Sequence, residues 1–217
     1  LADSMEVWAE VDFKFLNKRG IKVPNNYFDD ICSMNFIQAA EYTIKTFNLK
    51  ESPKQIMSEW LELASYEYSN NVLLKPFSKK FVQLLRDNGI KIAIATAGDE
   101  KLFLPALENN NALELFDTYA TTSEVKRGKG FPDVYDLVAE RLGLPVENCV
   151  VFEDIAVAVK GAKDGGYKTV AVYDKRSEKD IEIMKSTADF YADSFKDLIN
   201  KFQKDNALKR ELKIATV

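Results

Sequence analysis

Val150-Val151-Phe152-Glu153-Asp154 is the stretch that decides the fold class, because an apolar run of strand type ends there in two adjacent carboxylates. A run with helical character, Ile155 to Lys163, follows directly. Ligands bind at the carboxyl ends of the strands in an open parallel sheet. Two carboxylates at such an end provide the hard oxygen donors that magnesium prefers. The alternative is that both acids only favour the start of the next helix, where negative charge is stabilised.

The same alternation of strand and helix extends to both sides of this stretch. The predicted strands are Ile90–Ala95, Phe116–Thr121, Cys149–Phe152 and Thr169–Val172, with Asp189–Tyr191 as an edge strand. The predicted helices are Phe77–Asn88, Asp99–Asn109, Pro132–Leu142, Ile155–Lys163, Glu178–Met184 and a last one from Phe195. Such alternation is typical of a parallel sheet covered by helices on both faces. Residues 76–217 are therefore predicted to form a Rossmann-like α/β core.

The first part of the chain has only helical patterns. Asp3 and Glu6 have the spacing of a capping box, which predicts the start of a helix. Tyr27–Phe47 forms a second helical stretch, and Ser52-Pro53 starts a third, with serine as the cap and proline at the first helical position. We predict that residues 1–75 form a small all-helical cap domain.

Composition excludes several classes of function. The 217 residues contain no histidine, which removes Ser-His and Cys-His nucleophiles and the usual zinc sites. The net charge is −4 and the basic residues are scattered, so no nucleic-acid partner is predicted. No apolar run has the length of a membrane span. Cys32 and Cys149 lie far apart in apolar contexts, which favours buried free thiols and a cytoplasmic protein.

Two further strand ends have chemically distinct residues. Thr96-Ala97-Gly98 follows the strand at Ile90–Ala95 and offers a hydroxyl and accessible backbone N–H groups, which suit a phosphoryl oxygen. Lys129 lies in a glycine-rich loop before the helix that begins at Pro132, where a fixed cation would neutralise a phosphate. The alternatives are a threonine that only caps a turn and a solvated basic loop.

A threonine, a lysine and an acidic pair, each after a strand and in this order, resemble the haloacid dehalogenase superfamily, in particular its beta-phosphoglucomutase-like branch. Thr96 matches the hydroxyl of the second motif, and Lys129 matches the lysine of the third, with Pro132-Asp133-Val134-Tyr135 after it. Glu153-Asp154 matches the acidic pair of the fourth motif. The resemblance implies that Thr96 and Lys129 are catalytic, that Ala97 joins them in binding substrate, and that the acidic pair binds Mg²⁺.

The sequence departs from the family pattern in two loops and at its front. Gly130 stands where proline usually follows the lysine, and Ile155 stands where serine is common, which weakens any transfer of substrate identity. The sequence given opens at Leu1-Ala2-Asp3-Ser4-Met5, which is similar to the segment just after the family's Asp-Xaa-Asp-Gly motif. The nucleophilic aspartate and the central strand before it are not among these residues. We therefore hypothesise a truncated, inactive form of an enzyme.

The resemblance implies a magnesium-dependent phosphatase that acts on a small phosphorylated metabolite through an aspartyl-phosphate. A phosphomutase and a non-catalytic module that binds a phosphorylated ligand are the alternatives, while a dehalogenase fits the acidic pair less well. Without a central strand, two sheet edges are unpaired, which favours a homodimer. The apolar run Leu212–Val217 is a further candidate to fill that place.

Overall fold

The computed structural model describes residues 1–2, 7–24, 26–31, 34 and 36–204. The predicted capping box at Asp3 and Glu6, Cys32, and the strand candidate Leu212–Val217 lie outside these residues. The chain divides into two compact units, one of residues 2–73 and 101–109 and one of residues 1, 74–100 and 110–217. In the described part of the chain, no helix is long and apolar enough to cross a membrane.

The element bounds confirm the strand and helix alternation. The helices are α1 (Val7–Asn17), α2 (Tyr27–Ile31), α3 (Phe36–Phe47), α4 (Pro53–Asn70), α5 (Ser78–Asp87), α6 (Glu100–Asn109), α7 (Asp133–Leu142), α8 (Ala156–Asp164), α9 (Ile181–Thr187) and α10 (Phe195–Lys204). The strands are β1 (Ala93–Thr96), β2 (Thr118–Thr121), β3 (Val150–Glu153), β4 (Lys168–Val172) and β5 (Phe190–Ala192). A short 3₁₀ segment at Lys175–Asp180 precedes α9, so that helix begins later than predicted.

The helical unit packs around large apolar side chains from α1, α3 and α4. The rings of Phe15 and Trp60 meet edge to face with their centroids 5.6 Å apart. The start of α4 is fixed by a capping box in which Ser52 and Gln55 satisfy each other's backbone N–H groups. Helix α6 contributes Leu102 and Ala106 to the same apolar cluster. The sequence instead predicts this helix as part of the α/β core of residues 76–217.

The α/β unit contains two parallel sheets, β1-β2 and β3-β4-β5, which confirms the predicted fold class. Side chains of β3 alternate between two apolar clusters, as the twofold period of a strand requires. Val150 and Phe152 pack with Ile92 and with side chains of α5 and α10. Val151 packs with Ala95 and with side chains of α7 and α8. Strands β1 and β3 therefore lie between the same two helical layers.

Candidate active site

The carboxylate of Glu153, at the end of β3, receives two donors at one oxygen. Lys129 Nζ lies 2.6 Å from Glu153 Oε1, and the Tyr135 hydroxyl donates to the same oxygen at 2.9 Å. Glu153 is only 7% exposed. Burial, and then repulsion by the Glu153 charge, raise the pKa of Tyr135, so its hydroxyl keeps its proton. In this arrangement the Glu153 carboxylate holds the Lys129 ammonium at the end of the strand.

The second acid of the pair binds a different lysine. Lys75 Nζ lies 2.6 Å from Asp154 Oδ2 and 2.5 Å from Asp174 Oδ2, so one ammonium bridges two carboxylates. Burial opposes ionisation of Asp154, but the charge of Lys75, its hydrogen bond and the charge of Lys129 act together against burial and hold the pKa of Asp154 below its ordinary value. Burial likewise opposes the charge on Lys75, and its two partners outweigh it, so the pKa of Lys75 is raised. Asp154 and Lys75 are therefore both charged at neutral pH.

Thr96 has the turn-capping role that was the alternative to phosphate binding. Its Oγ1 accepts a hydrogen bond from the Gly98 backbone N–H at 3.0 Å. The hydroxyl hydrogen is not used by this bond, so Thr96 keeps a donor for a phosphoryl oxygen. Ala97, between these two residues, is exposed.

The loop that contains Lys129 is fixed by a glycine on helix α8. A Cβ at Gly161 would lie 2.2 Å from the Lys129 carbonyl oxygen, 2.6 Å from Gly130 C and 2.8 Å from Phe131 N. Only a glycine therefore allows the loop backbone to approach the helix this closely. The backbone N–H of Phe131 donates to Gly128 O at 3.0 Å, which closes the loop as a turn. Gly161 thus positions Lys129 without contacting its side chain.

We expect Gly161→Ala to lower the free energy of unfolding by about 2 kcal/mol, because the backbone overlaps outweigh the better helix propensity of alanine. Urea denaturation gives the value directly. Gly128→Ala, in the same loop, is the matched control, since a Cβ there meets nothing within 4 Å. We expect it to change stability by less than about 0.5 kcal/mol. Equal stability of the two variants would contradict the close-approach role of Gly161.

The backbone of the first residue lies among the same charged groups. The carbonyl oxygen of Leu1 accepts a hydrogen bond from the Lys75 N–H at 2.9 Å. The Leu1 backbone nitrogen is within electrostatic reach of Lys75, Asp154 and Glu153. Any segment joined to Leu1 would therefore start beside the acidic pair.

Comparison with known proteins places this arrangement in one family. The family model described as haloacid dehalogenase-like hydrolase matches residues 29–166, which is more than half of the chain. The chain belongs to the haloacid dehalogenase-like hydrolases. This confirms the resemblance drawn from the order of threonine, lysine and acidic pair.

Individual relatives of this hydrolase are phosphatases by name. A phosphorylated carbohydrates phosphatase of Thermotoga maritima is 28% identical over 127 residues, 58% of this chain and 59% of that protein. A Drosophila melanogaster protein named as a probable pseudouridine-5'-phosphatase is 24% identical over 212 residues, 90% of this chain and 89% of that protein. The chain thus spans about three fifths of the first relative and nearly all of the second.

Solved structures share the fold of the hydrolase. A Thermotoga maritima protein assigned as a beta-phosphoglucomutase superposes with a TM-score of 0.82 at 21% identity, covering 94% of each chain. CbbY from Rhodobacter sphaeroides, solved in complex with phosphate, has a TM-score of 0.70 at 20% identity, covering 91% of each chain. These likenesses show that the chain shares its fold with both proteins.

The donors at the acidic pair suit magnesium in chemical type. Mg²⁺ is commonly held by one or two carboxylates together with phosphate oxygens and water, and Glu153 and Asp154 supply such carboxylates. Within the ranges that the structure describes, no group of three or more metal-ligating side chains comes together. Lysines already neutralise both acids of this hydrolase, so Asp154, with its more open side chain, is the better candidate ligand.

The structure brings together most of the residues that the sequence singled out. Lys129 contacts Glu153, and its charge acts on Asp154. Thr96 is the last residue of β1, in the other sheet, and none of its described hydrogen bonds reaches these residues.

Sequence reasoning missed the contributions of Lys75, Asp174 and Gly161 to this site. Asp174 had a usable signal, because it follows β4 closely, as the acidic pair follows β3. Lys75 follows an apolar run, and its two partners are 79 and 99 residues away, so local patterns do not reveal them.

Proposed function

We propose that this hydrolase is a phosphatase for a small phosphorylated metabolite of sugar-phosphate type. The observation that carries the proposal is the Lys129 ammonium, fixed by the buried Glu153 carboxylate at the carboxyl end of β3 and beside Asp154. A fixed cation beside acids that suit Mg²⁺ is the arrangement that neutralises a phosphoryl group. The names of the Thermotoga and Drosophila relatives support the substrate class.

Each residue has a separate role in the proposed reaction. Lys129 binds and neutralises the phosphoryl oxygens, Thr96 donates its hydroxyl hydrogen to one of them, and the exposed Ala97 leaves room for the group between them. Asp154, with Glu153 beside it, would hold Mg²⁺. When bound, the metal would add positive charge where the transferred oxygens gain negative charge.

The nucleophile is the part that the described site lacks. The proposed chemistry is attack by an aspartate on phosphorus, which forms an aspartyl-phosphate and releases the alcohol, followed by attack of water. Asp154 is held by Lys75 and Glu153 by Lys129, so neither is poised to attack. We therefore propose that the chain as given binds a phosphorylated ligand without turnover.

A non-catalytic module that binds a phosphorylated ligand is the second candidate, and it is favoured because the described site has no nucleophile. No comparable observation favours the phosphomutase, and two cations of the helical unit that would suit a second phosphate, Lys18 and Arg19, already have partners. Arg19 binds Glu51 and Glu59, and Lys18 also binds Glu59.

We further propose that the predicted cap, residues 1–75, and the predicted core, residues 76–217, act as the cap and core of this enzyme, except that α6 packs with the helical unit and residues 1 and 74–75 belong to the α/β unit. We also propose a cytoplasmic location, which agrees with the free thiol of Cys149. The sequence predicts a buried thiol there, and in the structure Cys149 is half-buried. A homodimer also remains a proposal, and so does the absence of nucleic-acid and membrane partners.

Binding of inorganic phosphate to the chain as given tests the proposed function. We expect isothermal titration calorimetry to show that Lys129→Met weakens phosphate binding by about tenfold or more, because a charge-assisted contact is lost. Lys129→Arg, which keeps the charge and the partner for Glu153, should retain most of the affinity.

Lys91→Met is the matched control for this test, because Lys91 precedes β1 at the opposite end of the strand and binds only the Leu142 carbonyl oxygen among its described contacts. We expect it to leave phosphate affinity unchanged. Equal phosphate affinity of the wild type and Lys129→Met would contradict the proposed function.

A further inference from the structure

Lys75 is a mostly buried lysine that lies between the carboxyl ends of two neighbouring strands. Asp154 follows β3 and Asp174 follows β4, and these strands pair in parallel, so their ends reach the same edge of the sheet. The Lys75 side chain is 13% exposed, and its Nζ contacts one oxygen of each acid, at 2.6 Å and 2.5 Å. A single positive charge thus already bridges the two carboxylates.

An ammonium in this place competes with a metal ion for the negative charge of the same carboxylate. A cation that coordinates Asp154 comes close to the Lys75 ammonium, which already lies 2.6 Å from Asp154 Oδ2. Two positive charges close together on one carboxylate repel each other strongly in a poorly solvated site. Asp174 gives the lysine a second partner, so the ammonium is able to leave Asp154 without becoming a buried unpaired charge.

We propose that Lys75 is an internal counter-cation that shares itself between Asp154 and Asp174 and thereby sets the metal affinity of the site. In the metal-free protein it bridges both acids. In the metal-bound protein Asp154 passes to the metal, and Lys75 stays with Asp174. This inference rests on the proposed function, because it takes Asp154 as the metal ligand.

Binding of Mn²⁺, followed by the electron paramagnetic resonance signal of the free ion, tests the inference without any need for turnover. Lys75→Gln removes the charge and keeps a group that hydrogen-bonds both acids. At about 0.15 M salt, where distant charges are screened, we expect this variant to bind Mn²⁺ about tenfold or more tightly than the wild type. Lys75→Arg, which keeps the charge, should stay near the wild-type affinity.

Asp174→Asn separates the role of Asp174 as a lysine partner from a role as a metal ligand. In the wild-type background it leaves Lys75 only Asp154, so Mn²⁺ binding should weaken. In the Lys75→Gln background the same substitution should have much less effect, because no lysine remains to be held. Equal weakening in both backgrounds would show that Asp174 itself binds the metal and would overturn the shared-cation scheme.

Lys79→Met is the matched control, since Lys79 is exposed and binds a backbone carbonyl oxygen of Asn110. Unchanged or weaker Mn²⁺ binding in a folded Lys75→Gln variant, or no Mn²⁺ binding by any variant, would overturn the inference. The phosphate test separates the two proposals. If the chain binds phosphate but Lys75→Gln leaves the Mn²⁺ affinity unchanged, the inference alone is overturned. If the chain does not bind phosphate but Lys75→Gln tightens Mn²⁺ binding, the phosphatase proposal alone is overturned.

Discussion

A strand ending in Asp-Xaa-Asp-Gly, joined to the front of Leu1, is expected to convert the chain into a magnesium-dependent phosphatase. We expect turnover of p-nitrophenyl phosphate to rise by ~10⁴-fold or more over the chain as given, because loss of a nucleophile removes most of the catalysis in enzymes of this kind. We expect the added aspartate to lie near the Lys129 ammonium and the Asp154 carboxylate, since the charges of both groups act on the Leu1 backbone nitrogen.

The two sheets of the α/β unit provide the place for such a strand. Among the described strands, β1 pairs only with β2, and β3 pairs with β4 on one edge alone. Side chains at both strands nevertheless pack into the same two apolar clusters, with Phe152 and Ile92, which directly precedes β1, in one and Ala95 and Val151 in the other. All residues of β1 are half-buried, whereas four of the five residues of β4 are fully buried. An added parallel strand would pair with the open edges and cover this apolar surface.

The control for the extended chain is the same strand ending in Asn-Xaa-Asn-Gly. It should fold and bind phosphate equally well, and it should show no turnover, because asparagine is not a nucleophile here. Removal of Mg²⁺ with a chelator should abolish the activity of the aspartate version. Magnesium-dependent hydrolysis by the chain as given, or equal activity of both extended chains, would contradict the assignment of the nucleophile.

Local patterns were sufficient to predict the fold and the polar strand ends. The runs that end at Thr96 and Glu153 are apolar, short and followed by helical periodicity, and each formed a strand within a few residues of its predicted bounds. The ends of parallel strands gather at one edge, so the contact of Lys129 with Glu153 followed from fold class and motif order.

The parts that sequence could not predict depend on contacts between distant segments. Gly161 has no special backbone angle, and its role comes only from the loop backbone that touches it. Tyr135 belonged to a recognised motif, but its hydrogen bond to Glu153 spans 18 residues and depends on how α7 lies against β3. Helix α6 has an ordinary amphipathic pattern, which does not say with which unit it packs.

Asp12 is the residue whose replacement should change stability most. It lies on α1, is 5% exposed, and has Phe15 and Leu16 as fully buried neighbours on the same helix. Within the described part of the chain, no hydrogen bond or ion pair of its carboxylate is found. Burial raises the pKa of Asp12 from 3.8 to about 7.

The raised pKa of Asp12 fixes the direction in which the free energy of unfolding changes with pH. Below about pH 4 the carboxyl is protonated in both the folded and the unfolded state and contributes nothing to the pH dependence. Between pH 4 and pH 7 the folded state holds a proton that the unfolded state has lost, so stability falls as the pH rises. Above pH 7 both states are ionised, and the buried charge costs about 4 kcal/mol of the free energy of unfolding.

Asp12→Asn should therefore be more stable than the wild type by about 4 kcal/mol at pH 8 and equally stable at pH 4, because the amide stays neutral throughout. Urea denaturation at a series of pH values measures the difference between the two chains, in which the titration of every other group cancels. Glu10→Gln is the control on the same helix, since Glu10 is exposed and its one ion pair among the described residues is a surface pair with Lys14. We expect that control to change stability by less than about 0.5 kcal/mol at any pH. A stability difference between Asp12→Asn and the wild type that does not grow between pH 4 and pH 7 would mean that Asp12 ionises normally in the folded protein.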